Sequence, residues 1–107
     1  MSAQLAEDLR AAFANIDAPQ KWCKGPLAKD VEGAVSSITS RLSVSFCMLG
    51  AVWRIGLPFL RERAVMAALK PEIGYRTLPS SNDDPSTTHA DVVGVFQRAI
   101  AAAEARA

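Results

Sequence analysis

Residues 40–56 read SRLSVSFCMLGAVWRIG, and the periodicity assigned to them decides the fold. Leu42, Phe46, Leu49 and Trp53 fall on one stripe at helical spacing, Val44, Met48, Val52 and Ile55 on a second, and Ser43, Cys47, Gly50 and Ala51 on a third of small residues. A helix with so little polar surface is one surrounded by others. The spacing therefore predicts a central helix that is the most buried of the chain, with Phe46, Leu49 and Trp53 in the core. Gly50 costs such a helix about 1 kcal/mol relative to Ala, a cost that a close approach by neighbouring backbone or by Trp22 would explain. The apolar stretch 46–60 is interrupted by Arg54 and Pro58 and is shorter than the roughly 20 residues a bilayer span needs, so it reads as core.

Outward from this segment, Leu5, Leu9, Phe13 and Ile16 form an amphipathic helix ending near Ile16, with Glu7, Asp8 and Arg10 on its wet face. Pro19 breaks it. Residues 20–37 lack a helical period; the stretches 27–29 and 34–36 flank a turn at residues 30–33, so a small β-hairpin or ordered loop is expected, held to the helices by Trp22. Gly56 and Pro58 make a corner into a helix over 59–70 that buries Leu60, Ala64, Ala68, Val65 and Leu69. A long loop over 72–87 follows. Thr88 with Asp91 three residues on is a capping-box variant that opens the last helix, which buries Val92, Val93, Phe96, Ile100 and Ala103 and runs to about residue 105. The expected fold class is mainly α, a single compact domain over residues 1–107 of about four helices with a short irregular or β-hairpin element near residues 21–37.

The chain has 107 residues, 50% hydrophobic and 21% charged, which is ordinary globular composition for one domain. Twelve Lys and Arg stand against eleven Asp and Glu, and Lys21, Lys24 and Lys29 make only a thin basic cluster, so nucleic acid is not expected as a partner. Cys23 and Cys47 are too few for a disulfide scaffold and read as free thiols. The opening MSAQLAEDLR has no basic region followed by an apolar core, so it does not read as a signal peptide, and a cytoplasmic protein is expected.

The chemistry-bearing motifs are sparse. Cys23, Cys47 and His89 lack the paired spacing of a zinc site, residues 82–86 lack the Gly and the bidentate Glu of a calcium loop, and neither phosphate-binding glycine motif occurs. No cofactor or metal is expected, and no catalytic residue is assigned. Any nucleophilic triad would have to use His89, the one histidine, which at the first turn of a helix ordinarily serves as a solvated polar group. Asn82, Asp83, Asp84, Thr88, His89 and Asp91 gather polar side chains at a helix start, either as turn and cap residues or as a binding site. Trp22 and Arg54 complete the candidate binding residues. Arg54 interrupts an apolar stretch, where a helix C-terminus favours a cation, and a carboxylate in the 82–84 loop would be a natural partner.

Taken together, Trp22, Gly25, Asp30, Gly33, the Phe46-Cys47-x-x-Gly50-Ala51 segment, Asn82-Asp83 and the Thr88-x-x-Asp91-Val92 helix start resemble a family of small uncharacterised bacterial and phage proteins, a domain of unknown function, over residues 22–100. Members of that family commonly carry Trp before the Asn-Asp pair, where this chain has Ser81. The resemblance implies no activity; it implies an accessory protein of phage or mobile elements. With no catalytic constellation and no charged groove, the expected function is a non-enzymatic interaction module that binds and modulates another protein. The alternatives are a small enzyme or ligand-binding domain using the 82–91 loop, and a homo-oligomeric structural subunit.

Overall fold

The computed structural model describes residues 2–107. Five α-helices surround a single core: α1 Ser2–Ala14, α2 Met48–Arg54, α3 Phe59–Leu69, α4 Leu78–Asp83 and α5 His89–Ala105. Two strands, β1 Ala28–Asp30 and β2 Ser43–Phe46, form an antiparallel pair. The fold is thus mainly helical with a small hairpin element. No described helix is long and apolar enough to cross a membrane.

Helix α1 packs chiefly on α5 through Leu9 and Phe96, both fully buried, and the Phe13 and Phe96 rings stack at 5.9 Å. Met48 and Val52 of α2, Val65 and Leu69 of α3 and Val92 of α5 close the core around them. Helix α5 starts as its sequence predicts: the Thr88 hydroxyl accepts from Asp91 N–H at 3.2 Å and the Asp91 carboxylate accepts from Thr88 N–H at 2.9 Å, so two end donors are satisfied reciprocally.

The central segment differs from the predicted helix. Residues 43–46 are strand, and the helix begins only at Met48. The strand is favoured because β1 supplies partners for its backbone, pairing Ala28 with Phe46 and Lys29 with Ser45, while the Ser36 and Ser43 hydroxyls bond each other at 2.6 Å. Phe46 is buried and Leu49 half-buried, but Trp53 is 39% exposed and Leu42 is exposed, because the change from strand to helix at Cys47 breaks the stripe that joined them. The turn at residues 30–33 does form, with the Asp30 carboxylate accepting from Glu32 and Ala34 N–H groups and Gly33 at φ +83°. Its return arm makes only a Lys29–Val35 bridge, so the main partner of β1 is β2, beyond the predicted hairpin limits.

Three smaller differences follow from packing. On α3, Leu60 and Ala64 face outward and Val65 and Leu69 inward. The 72–87 loop contains α4, whose start is set by Thr77: its hydroxyl accepts from Ser80 N–H at 3.2 Å, and Pro79 sits in the first turn, where a missing N–H is harmless. Asp8 is not on a wet face but 5% exposed, gripped by the Arg61 guanidinium of α3 at 2.8 and 3.0 Å and by Gln4 at 3.0 Å.

The hydrogen bonds from Arg61, aided by Gln4, outweigh burial and hold the Asp8 carboxyl below the usual carboxylate range. A carboxyl depressed in the folded state adds stability that is complete above its unfolded pKa of about 3.9 and is lost as pH falls through the folded value. Urea midpoints at pH 5 and pH 3 should therefore drop more for the parent protein than for Asp8→Asn. An equal drop would show that the Asp8–Arg61 clasp contributes nothing to acid sensitivity.

Candidate functional site

The chemistry-bearing residues meet where the end of α4 lies against residues 22–25. Trp22 follows a 3-10 turn at Pro19–Lys21 and bridges in parallel to Phe46, which brings Cys23 beside the junction of β2 and α2. Cys47 is the N-cap of α2, its sulfur accepting from Gly50 N–H at 3.3 Å.

Asn82, in the last turn of α4, is fully buried and uses its whole amide. Its Oδ1 accepts from Trp22 Nε1–H at 2.7 Å and from Met48 N–H at 3.0 Å; its Nδ2 donates to the Cys23 carbonyl at 3.1 Å and to Asp83 Oδ1 at 2.9 Å. Met48 N–H is the first amide of α2, a donor without a partner inside its own helix. Asn82 therefore caps α2 from across the fold and ties it to residues 22–23. Two neighbours extend the seam: Asp83 Oδ1 accepts from Gly25 N–H at 2.9 Å, and Lys24 Nζ donates to the Asp84 carbonyl at 2.8 Å while lying 5.6 Å from the Trp22 ring. Gly25, at φ +94°, takes a left-handed conformation that turns its N–H towards Asp83 without a side-chain clash.

His89 is half-buried beside this seam, its ring 6.0 Å from that of Trp22. Its Nε2 lies 2.7 Å from the Ile16 carbonyl, which assigns the proton to Nε2 and joins the start of α5 to the chain leaving α1. The Asp84 carboxyl is held below the usual range by the Ser86 hydroxyl and N–H, with Arg76 adding to the effect.

The structure thus assembles Trp22, Asn82, Asp83, Asp84 and His89 in one place, and leaves Arg54 out of it. Arg54 donates to the Ile38 and Ser40 carbonyls at 2.7 and 2.6 Å and lies 5.1 Å over the Phe46 ring. The carboxylate partner expected for it in the 82–84 loop is absent; Asp84 pairs with Arg76 instead. Cys23, Lys24, Gly25 and Met48 belong to the seam without having been among the candidate binding residues, because each joins through a backbone group or, for Lys24, its ammonium. A glycine after Trp-Cys-Lys was the one available signal.

Both cysteines are free and buried, and burial is the main cause that pushes each thiol up, so both are protonated at neutral pH and poor nucleophiles. Among the described residues no group of three or more His, Cys, Asp and Glu side chains is placed to hold a metal ion. The four hydrogen bonds of Asn82 and the carbonyl contact of His89 make the cluster a clasp that holds three chain segments together.

Fold and clasp together define a small mainly helical domain whose α2 is capped by a buried asparagine from α4. The chain belongs to a family of unknown function, DUF6197, whose model matches residues 1–102. No curated protein and no solved structure matches it.

Proposed function

We propose that the chain is a non-enzymatic protein-interaction module, and that its partner docks on the side formed by the hairpin, α2 and the start of α3. The supporting observation is the uneven placement of exposed large apolar side chains. Among the described residues, Val31, Val35, Leu42, Val44, Trp53, Phe59 and Leu60 all fall between residues 31 and 60, and only Tyr75 lies outside that stretch. None belongs to α1 or α5, whose outer faces carry charges such as the Arg10–Glu104 pair. Apolar side chains left outside a complete core suit a partner with an apolar face of its own. The accessory role implied by the family resemblance fits such a module, which would modulate a host protein by covering one of its surfaces.

Leu42 and Leu60, 68% and 76% exposed, are the positions that test this, because exposed substitutions leave stability within about 0.5 kcal/mol each. Affinity capture with the parent protein and with Leu42→Ser/Leu60→Ser should give a partner retained by the first and lost by the second. Light scattering over a concentration series identifies the case in which that partner is a second copy of the chain. Identical capture by both proteins, with no self-association, would move the docking surface elsewhere.

A further inference from the structure

A second site borders the clasp through Met48 and Arg76 and is lined by none of the exposed apolar side chains of residues 31–60. A cleft of about 310 Å³ opens between α5 and the segment 72–76, with Ser81 and Thr87 at one end. That volume is at the small end of ligand sites. Its walls carry two cations, Arg76 and Arg98, and two carboxylates, Glu72 and Asp91, so their charges sum to zero.

Three features mark it as built to hold something. Ser81 is only 9% exposed, yet its hydroxyl makes no hydrogen bond to another described residue. Among the described residues no side-chain polar atom sealed from the surface lacks a partner, so that hydroxyl is not sealed off, and Ser81 lines the cleft. Gly94 stands inside α5, where glycine weakens a helix, and a Cβ there would meet Arg98 Nη1 at 2.9 Å. The missing side chain keeps the cleft open and lets the guanidinium lie along its wall. Finally, the ionic groups are only partly used: Arg98 donates to Glu72 through Nε and Nη2 and keeps Nη1 free, Arg76 uses Nη2 alone, and Asp91 uses Oδ2 for its cap and keeps Oδ1 free.

We infer that this cleft binds a small zwitterion of the α-amino-acid class, its carboxylate taken by the free guanidinium N–H groups of Arg76 and Arg98 and its ammonium by the free Asp91 oxygen. A simple anion would meet Glu72 and Asp91 as well as the arginines, and a simple cation the reverse. A compact ligand with both charges uses both sets of groups, and charge-assisted hydrogen bonds of both signs fix its orientation. The Ser81 hydroxyl supplies a further polar contact at the base.

The test is a titration of the full chain, followed by amide NMR, with the proteinogenic L-amino acids and, for the best of them, its methyl ester and its N-acetyl derivative. Saturable shifts centred on Ser81, Gly94 and Arg98 are expected for at least one amino acid, with both derivatives at least about ten-fold weaker, the loss expected for one charge-assisted hydrogen bond. Gly94→Leu, which fills the cleft, and Arg98→Gln, which removes one cation, should each abolish the shifts in a protein whose remaining spectrum is unchanged. Absence of saturable shifts at those residues with every amino acid, or equal binding of the ester and the parent amino acid, would overturn the assignment.

Discussion

Asn82→Ala is expected to destabilise the domain by about 4 kcal/mol, lowering the melting temperature by roughly 15–30 °C for a domain of this size. The truncation removes no large apolar volume. It strands three groups that face the interior: the Trp22 indole N–H, the Met48 N–H and the Cys23 carbonyl. A buried polar group left unpaired costs about 1–3 kcal/mol, and water cannot reach a position with 0% exposure to replace the lost partner. Asn82→Asp is expected to be at least as damaging, although it changes one atom. It keeps the acceptor for Trp22 and Met48 but turns the donor into an oxygen facing the Cys23 carbonyl and the Asp83 carboxylate, and it buries a charge. Denaturant midpoints of the two variants check both statements; a loss under about 1 kcal/mol for Asn82→Ala would mean that the clasp is dispensable.

Gly50→Ala is expected to cost about 3 kcal/mol, although alanine is the better helix former. A Cβ on Gly50 would stand 2.0 Å from the Leu27 carbonyl oxygen and 2.9 Å from its carbon. These are backbone atoms, and that oxygen also accepts from Cys47 N–H at 3.2 Å, so relief requires β1 to move away from α2 and to give up that bond. By contrast Gly94→Ala, which meets only the tip of Arg98, should gain up to about 1 kcal/mol of helix propensity. Opposite signs for the same substitution in two helices, read from urea denaturation, would show that close backbone approach decides the cost at Gly50. A neutral Gly50→Ala would contradict the packing described.

The close approach at Gly50 was legible in the sequence as a glycine interrupting an apolar run, whereas the strand beside it was not. Phe46, Leu49 and Trp53 fall at helical spacing although a strand ends at Phe46 and a helix starts only at Met48, so the spacing marks no common face and Trp53 is left 39% exposed. Nothing local marks the change, since Cys47 is not among the usual cap residues and serves through its sulfur. The pairing that makes 43–46 a strand comes from residues 28–30, a long-range contact that periodicity does not report. Helices α1 and α5 were legible because each buries one apolar face, and α3 through the Gly56–Pro58 corner before it, although its buried face, Val65 and Leu69, was only partly legible. Helix α4 was hidden because LPSSND has no apolar period, though Thr77 and Pro79 mark its start.

For the site, the gathering of Asn82, Asp83, Asp84 and His89 was visible as a polar cluster, and Trp22 as a residue needing somewhere to pack. That Trp22 and Asn82 meet, sixty positions apart, was not visible, because a side-chain hydrogen bond across the fold leaves no spacing signature. Arg54 shows the reverse case. It stood out in an apolar stretch, yet it serves carbonyls at Ile38 and Ser40 that no charge pattern announces.

The clasp is tested most directly by native-state hydrogen exchange of the two indole N–H groups and the Met48 amide. Trp22 donates its indole N–H to buried Asn82, while Trp53, 39% exposed, provides the internal reference. The Trp22 indole and the Met48 amide should exchange together, with an opening free energy close to that of global unfolding, and both far more slowly than the Trp53 indole. Exchange of the Trp22 indole as fast as that of Trp53, in a protein that is otherwise folded, would contradict the central role given to Asn82.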